Sequence, residues 1–407
     1  MRGRTPLVPV IAWCARALGT VGALGALGAL GALGALGALG ALGTLGARSV
    51  HAQGALSTQG FGYPSGQLST RALGSGGSLA DFDPSSPLNP ASLVVGLRTL
   101  VYLQYDPEFR DVRLGGRRTT TATARFPIFG VSGRIWRTTV GLSFSSLLDR
   151  TWTNIYDDTQ TVAGQVLPSR VTAQSAGGIS DARFAIGYSL GKDYHVGAGV
   201  HVFPGENRTI IGRDFPDSLK MGSFTQANIF NFSGSAVSLG VLATPRPNWN
   251  IAATARLGGA MRLRQGDSAV IGTASVPDRW SLSAAYSGFA GSALAVRLTR
   301  ERWSAFRGLG SSGLAIHDAT ELAVGGEIAG PKLSGVPMAL RLGFRSRGLP
   351  FSQGVDAVHE RSFTGGLGVP FAGGRGAVDL SAARARRSAS GAGENAWIVS
   401  IGFGIKP

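Results

Sequence analysis

Few side chains in this 407-residue chain could carry out chemistry. Beyond residue 52 the histidines are His195, His201, His317 and His359. His195 and His201 stand six residues apart in one extended segment, about 20 Å at 3.3 Å per residue, so they cannot share a metal ion. The single cysteine, Cys14, lies in an N-terminal stretch expected to be removed. That leaves no disulfide, no thiolate metal ligand and no thiol nucleophile. Gly187-Tyr188-Ser189-Leu190-Gly191 fits the hydrolase elbow, but that elbow needs a strand-to-helix turn. Here an alternating segment runs into Gly191-Lys192-Asp193 and then into another alternating segment. Gly308-Leu309-Gly310-Ser311-Ser312-Gly313 fits the dinucleotide fingerprint, yet no strand–helix–strand unit surrounds it. A membrane phospholipase would need a serine and a histidine close together with an orienting group, and no segment suggests one. No enzyme, cofactor or metal site is expected.

The arginines are more informative. The formal charge is +16; the first 52 residues hold Arg2, Arg4, Arg16 and Arg48 and no acid, so their loss would leave +12. Nucleic-acid binders gather such an excess in basic patches, whereas here most arginines are scattered singly. The densest cluster is Arg384-Ala385-Arg386-Arg387. This distribution speaks against nucleic acid. Arg183, Arg256, Arg297, Arg341 and Arg345 each lie opposite the apolar side of an alternating segment. Such side chains can pair with acids such as Glu327 and Asp379, or grip the carboxylate of an amphipathic ligand through bidentate hydrogen bonds.

Those arginines need elements to position them. The N-terminus has the three-part layout of a secretory signal: Arg2 and Arg4, a long apolar stretch, then small residues at Val50-His51-Ala52. Residues 22–42 are Gly-Ala-Leu triplets, which lengthen the apolar region well beyond the usual ~7–15 residues. A cleaved signal over residues 1–52 is expected. Past Ala52 no apolar run is long enough for a membrane helix.

The rest alternates with a period of two, the mark of strands with unlike faces. Val196, Ala198, Val200 and Val202 oppose His195, Gly197, Gly199 and His201. Leu340, Leu342 and Phe344 oppose Arg341, Gly343 and Arg345. Strands are expected near 97–107, 117–128, 134–148, 179–190, 194–203, 224–243, 249–264, 279–287, 292–300, 319–328, 337–345, 358–370, 376–386 and 395–405. Every second connection is tight: Phe129–Gly133, Gly191–Asp193, Thr244–Asn248, Gly288–Gly291, Ala329–Val336 and Phe371–Arg375. The others are mostly long and polar, as in Asp149–Ile179, Pro204–Ser223, Gln265–Asp278 and Glu301–Asp318. Short turns at one end and long loops at the other are how outer-membrane barrels face the periplasm and the exterior. Trp136, Tyr194, Trp249 and Trp280 fall near strand beginnings, where rings can sit at a membrane interface. The fold class expected is all-β: a transmembrane antiparallel up-and-down barrel of about fourteen strands over 97–407, with 53–96 as a hatch in its lumen.

Residues 70–93 carry a resemblance. A Gly/Ser-rich stretch leads to Ala80-Asp81, then Ser85, then Asn89-Pro90-Ala91 and Leu93. This order resembles the N-terminal hatch of the FadL/TodX family of outer-membrane channels for hydrophobic molecules, and is similar also to the PorV branch of that superfamily. Gly177-Gly178-Ile179-Ser180-Asp181, Val276-Pro277-Asp278 and Gly368-Val369-Pro370-Phe371 fit the same layout. The resemblance implies an outer-membrane location, assembly by the outer-membrane machinery, and passive uptake of a hydrophobic or amphipathic, long-chain fatty-acid-like solute. In the PorV-like alternative the barrel anchors or shuttles secreted proteins and carries nothing small. One departure is the C-terminus, Phe403-Gly404-Ile405-Lys406-Pro407, since such barrels often end on an aromatic residue.

Overall fold

The computed structural model describes residues 56–59, 61–96, 99–114, 117–162, 164–216, 222–266, 269–289, 291–309, 314–333, 335–352, 356–389 and 392–406. The expected signal peptide, its Gly-Ala-Leu repeats and the start of the expected hatch segment lie outside the described residues. Fourteen wall strands follow one another around a closed antiparallel barrel. They are β1 (Leu100–Leu114), β2 (Arg117–Arg125, resumed as Ile128–Ile135), β3 (Thr138–Asp149, resumed as Trp152–Val162), β4 (Gln165–Ser189) and β5 (Tyr194–Asp214). Next come β6 (Phe224–Arg246), β7 (Trp249–Gln265), β8 (Val270–Ser275, resumed as Arg279–Tyr286), β9 (Ser292–Glu301) and β10 (Ala319–Leu333). The last four are β11 (Val336–Leu349), β12 (Val358–Phe371), β13 (Gly376–Ala389) and β14 (Ala392–Ile405). Each pairs with its sequence neighbours, and β14 returns to β1 in the register Val101↔Ile405 to Arg113↔Gly393. Closure removes the sheet edges that would otherwise leave backbone groups unpaired.

The expected strands are all present, but several expected loops are not loops. Most of Asp149–Ile179 is a hairpin, with Trp152–Val162 paired to Gln165–Ser175. Much of Pro204–Ser223 continues β5 to Asp214, and part of Gln265–Asp278 is the strand Val270–Ser275. The physical reason is that these extensions do not present an apolar outer face. In β4 the apolar outward series Ala182, Phe184, Ile186, Tyr188 gives way to Arg170, Thr172 and Gln174. Alternation disappears where both faces are polar, although Thr, Tyr and Val still favour extended backbone. One tight turn also lies elsewhere than expected: β2 runs to Ile135, so the chain reverses at Trp136-Arg137 rather than at Phe129–Gly133.

Around residues 67–95 the inward side chains are mostly small, polar or charged, while the outward ones along the band are mostly Leu, Val, Ile, Phe and Ala. Leu342 is 74% exposed and Phe363 70%. An apolar surface encircling the protein far exceeds the patch of a few hundred Å² that soluble proteins leave open, so its natural solvent is lipid. Among the described residues no helix is long and apolar enough to cross a membrane. Aromatic rings mark the tight-turn end. Trp136 occupies a left-handed position (φ 56°) and is 91% exposed, and Tyr286 packs between Trp249 and Phe289. Phe371 stacks on Phe403 at 5.5 Å, which gives Phe403 a neighbour at this rim despite the residues that follow it. Trp280 stands at the other end of its strand, beside the break at Val276–Asp278.

Residues 61–96 are buried against inward side chains drawn from strands around the ring. Ser69 caps the short helix Thr70–Gly74 by accepting from Ala72 N, and Asn89 caps the 3-10 segment Pro90–Val95 by accepting from Ala91 N. Thr70 meets Tyr102 and Ser400, and Gln67 donates to Ser145 and Asp181. Inward glycines make room for this backbone. A Cβ on Gly240 would lie 2.0 Å from Asn89 Oδ1, one on Gly197 2.4 Å from the Pro90 carbonyl carbon, and one on Gly343 2.2 Å from the Ser75 carbonyl carbon. Many of the strand glycines are therefore landing sites.

Candidate functional site

Two layers of the lumen differ in chemistry. The layer around residues 67–95 is polar and densely paired. Asp81, fully buried, accepts from Ser281 Oγ and Ser283 Oγ, each at 2.6 Å, and lies 3.3 Å from Arg297 Nε. Arg297 also bonds Glu321 at 3.0 Å and the Gly77 carbonyl. Arg341 pairs with Glu327 and Asp379, both at 2.6 Å, the two acids named from the sequence. Arg345 pairs with Glu321. Arg256 donates to Gln67 Oε1 at 3.1 Å and to the Pro277 carbonyl, with Asp181 at 3.8 Å.

Arg183 is different. It is buried, reaches only Ser143 Oγ at 3.3 Å, and its Nη1 has no hydrogen-bond partner. It makes no ion pair with a described carboxylate, and it lines a narrow cleft with Pro84, Ser85, Leu93 and Tyr102. A buried cation without a counter-ion is costly unless an anion joins it.

The remaining members of the N-terminal motif act through the backbone. Ser85 N donates to Asp83 Oδ1, and Asn89 Nδ2 donates to the Asp81 carbonyl. Pro90 and Ala91 press on Gly197, where no side chain would fit.

At the long-connection end, Tyr63 is ringed by guanidinium groups. Arg387, Arg347, Arg125 and Arg110 stand 4.7, 5.0, 5.2 and 5.8 Å from its ring centre. Glu360 accepts from Tyr63 Oη, Arg347 and Arg387, while Glu108 binds Arg110, Arg125 and Arg387 and Glu394 binds Arg387. This network fixes the chain where the N-terminal segment meets the wall.

Beside it lies an apolar cluster that the alternation pattern could not reveal. Phe61, Phe203, Phe232, Met261, Trp303, Phe306 and Phe351 are buried together, the last beside the two-residue pairing of Ala315–Ile316 with Phe351–Ser352. Trp303 and Phe306 come from a 3-10 segment, Trp303–Leu309, within the connection expected to be a plain loop. Trp303 packs edge-on against Phe306 and Phe351 at 5.4 and 5.6 Å. Arg150 lies over Phe61 at 4.5 Å and over Phe232 at 5.2 Å and donates to the Phe61 carbonyl. Arg256 lies over Phe203 at 5.7 Å, and an apolar group with cations at its edge suits an amphipathic or apolar guest.

Two serine–histidine pairs do come together among the described residues: His317 Nε2 lies 3.0 Å from Ser352 Oγ, and the second pair also has an acid. His201 Nδ1 is 2.8 Å from Asp181 Oδ1, and His201 Nε2 is 2.9 Å from Ser238 Oγ. No sequence pattern signals this, because the three sit on β4, β5 and β6. The row has the order of a hydrolase triad but not its surroundings. All three side chains are buried, and Ser238 lies mid-strand with paired neighbours on both sides, so its main-chain amides are spent in the ladder and form no oxyanion hole. Gln67 completes the row, which ties the N-terminal segment to the wall.

No family model matches the sequence, and no curated protein is detectably similar to it. Solved structures are similar in fold. A FadL homologue of Pseudomonas aeruginosa superposes with a TM-score of 0.56 at 13% identity, covering 85% of this chain and 99% of the other. The toluene transporter TodX of Pseudomonas putida gives 0.55 at 13%, covering 84% and 98%, and the CymD monoaromatic hydrocarbon channel gives 0.54 at 14%, covering 84% and 97%.

Proposed function

With the FadL/TodX-type barrel fold as premise, we propose that this protein is an outer-membrane channel for passive movement of hydrophobic or amphipathic small molecules. The observation that carries the reading is the aromatic cluster inside the barrel. A lumen that served only water and ions would have no use for Phe203, Phe232, Trp303, Phe306 and Phe351 buried on its inner side. The cluster is closed in this structure, so a solute is admitted when the Trp303–Leu309 segment lifts. Residues 61–96 serve as the hatch below. Their fixings are many hydrogen bonds and ion pairs, which can be exchanged one by one. No energy source is needed for downhill transfer.

An amphipathic solute would leave its polar end at a cation. Of the five arginines singled out in the sequence, Arg256, Arg297, Arg341 and Arg345 already face carboxylates, and Arg183 is the one left for a ligand. Toluene and laurate uptake into vesicles containing the purified barrel tests both parts. Phe232→Ser with Phe306→Ser should slow both solutes several-fold. Arg183→Ala should slow laurate and leave toluene unchanged. Uptake of both at wild-type rates in the double serine variant removes the aromatic cluster from the path, and the channel reading with it.

A further inference from the structure

The densest basic cluster of the sequence is divided by the barrel wall. Arg387 points inward into the Tyr63 network, fully buried, whereas Arg384 and Arg386 point outward. On the neighbouring strand Arg361 also faces outward, as the direct Cα partner of Arg386. None of the three forms an ion pair with a described carboxylate. The acids nearest in sequence, Glu360 and Glu394, face inward and are engaged by Arg387. The next strands offer Asn395 opposite Arg386 and then Asp111, which Arg118 already holds.

Like charges set directly opposite one another on a sheet repel. Bare arginines facing hydrocarbon at mid-depth would cost more still. Their level resolves this. The outward face changes from apolar to polar at one paired register on three of four neighbouring strands, Phe363 to Arg361, Trp397 to Asn395 and Phe109 to Asp111. On β13 it changes one residue pair earlier, where Arg384 stands opposite Phe363 and Trp397 and Arg386 opposite Arg361 and Asn395. From Gly376 at the tight-turn rim to Arg386 is ten residues of β13. At about 3.3 Å per residue and a tilt near 40°, that is a height of about 25 Å, the thickness of the apolar band of such barrels. Arg361 and Arg386 therefore stand at the headgroup level of the leaflet away from the tight turns, and Arg384, one residue pair lower at the edge of the apolar band, has a stem long enough to reach the same level. Arg384 is steadied there at 5.7 Å over the Trp397 ring.

We propose that Arg361, Arg384 and Arg386 form a binding site for the phosphate of an outer-leaflet lipid headgroup. Several guanidinium forks on adjacent outward positions of two paired strands suit a phosphate better than a single carboxylate, and the Phe363 and Trp397 rings beneath give the acyl chains an apolar wall. This rests on the membrane-barrel reading but not on the identity of any solute.

The test compares wild type with an R361Q/R384Q/R386Q variant, both shown to be folded by heat-modifiable gel migration. Each is placed in nanodiscs of phosphatidylcholine containing graded amounts of diphosphorylated lipid A or its dephosphorylated form, and retained lipid is counted by native mass spectrometry. Wild type should retain the phosphorylated lipid at least about tenfold better than the variant, given the attraction of each arginine to an anionic surface. It should not retain the dephosphorylated form. Equal retention by the two proteins, or retention regardless of phosphate, overturns the proposal. Displacement of the lipid by inorganic phosphate alone overturns the lipid assignment. Toluene uptake by the variant should remain at the wild-type level, so loss of lipid binding leaves the channel reading intact. A chain that stays soluble and monomeric without detergent would sink both.

Discussion

Asp81→Ala is the most direct probe of how residues 61–96 are held. Asp81 is fully buried, accepts two serine hydroxyls at 2.6 Å and lies 3.3 Å from Arg297. Deleting its carboxylate strands Ser281 and Ser283 and leaves Arg297 with the Gly77 carbonyl and Glu321, an acid that Arg345 shares. Removing one partner of a buried ion pair costs about 3–5 kcal/mol. The wall strands keep their ladders, so the loss should fall on docking of the segment rather than on the barrel. At about 1.4 kcal/mol per decade, the undocked population should rise roughly 150-fold or more. Ser78→Cys places a thiol at a fully buried position in the same segment, and no other cysteine follows Cys14. Labelling by a maleimide from the aqueous phase should be slow with Asp81 present and faster by about two orders of magnitude in the Asp81→Ala background. Planar-bilayer recordings should show more frequent openings. Equal labelling rates in the two backgrounds would refute the idea that this carboxylate holds the segment down.

Gly240→Val should undock the segment by a steric route, since its Cβ would overlap Asn89 Oδ1; protease should then cut within residues 61–96 while the barrel survives. Leu342→Arg places a charge on the outward face at a residue 74% exposed, and should destabilise the inserted barrel by about 2–4 kcal/mol in a bilayer unfolding titration. A negligible change there would mean that lipid does not cover this face. Arg387→Met leaves Glu108, Glu360 and Glu394 sharing too few cations. Its urea midpoint should fall by an amount equivalent to about 3–5 kcal/mol, and an unchanged midpoint would show the Tyr63 network to be dispensable.

The sequence by itself determined the wall. A period of two with an apolar outer face is local, so it can be read from segments such as Val196–Val202 and Leu340–Phe344, and strand number and the positions of most tight turns follow from it. The Asn89-Pro90-Ala91 motif is a local signal too, and the structure holds it in a defined form, with Asn89 capping Pro90–Val95. Where both strand faces are wet, as in Trp152–Val162, the period vanishes and the strand reads as loop. Partners were beyond reach for a different reason. Whether Arg297 meets Asp81, or His201 meets Asp181 and Ser238, depends on the register of closure and on a segment folded back across strands more than a hundred residues away. Tertiary structure alone separated Arg183, left without a carboxylate, from four neighbours already neutralised. It also sent Arg387 inward and Arg386 outward from one short run, because a strand gives adjacent residues to opposite faces and only the closed barrel decides which face meets lipid.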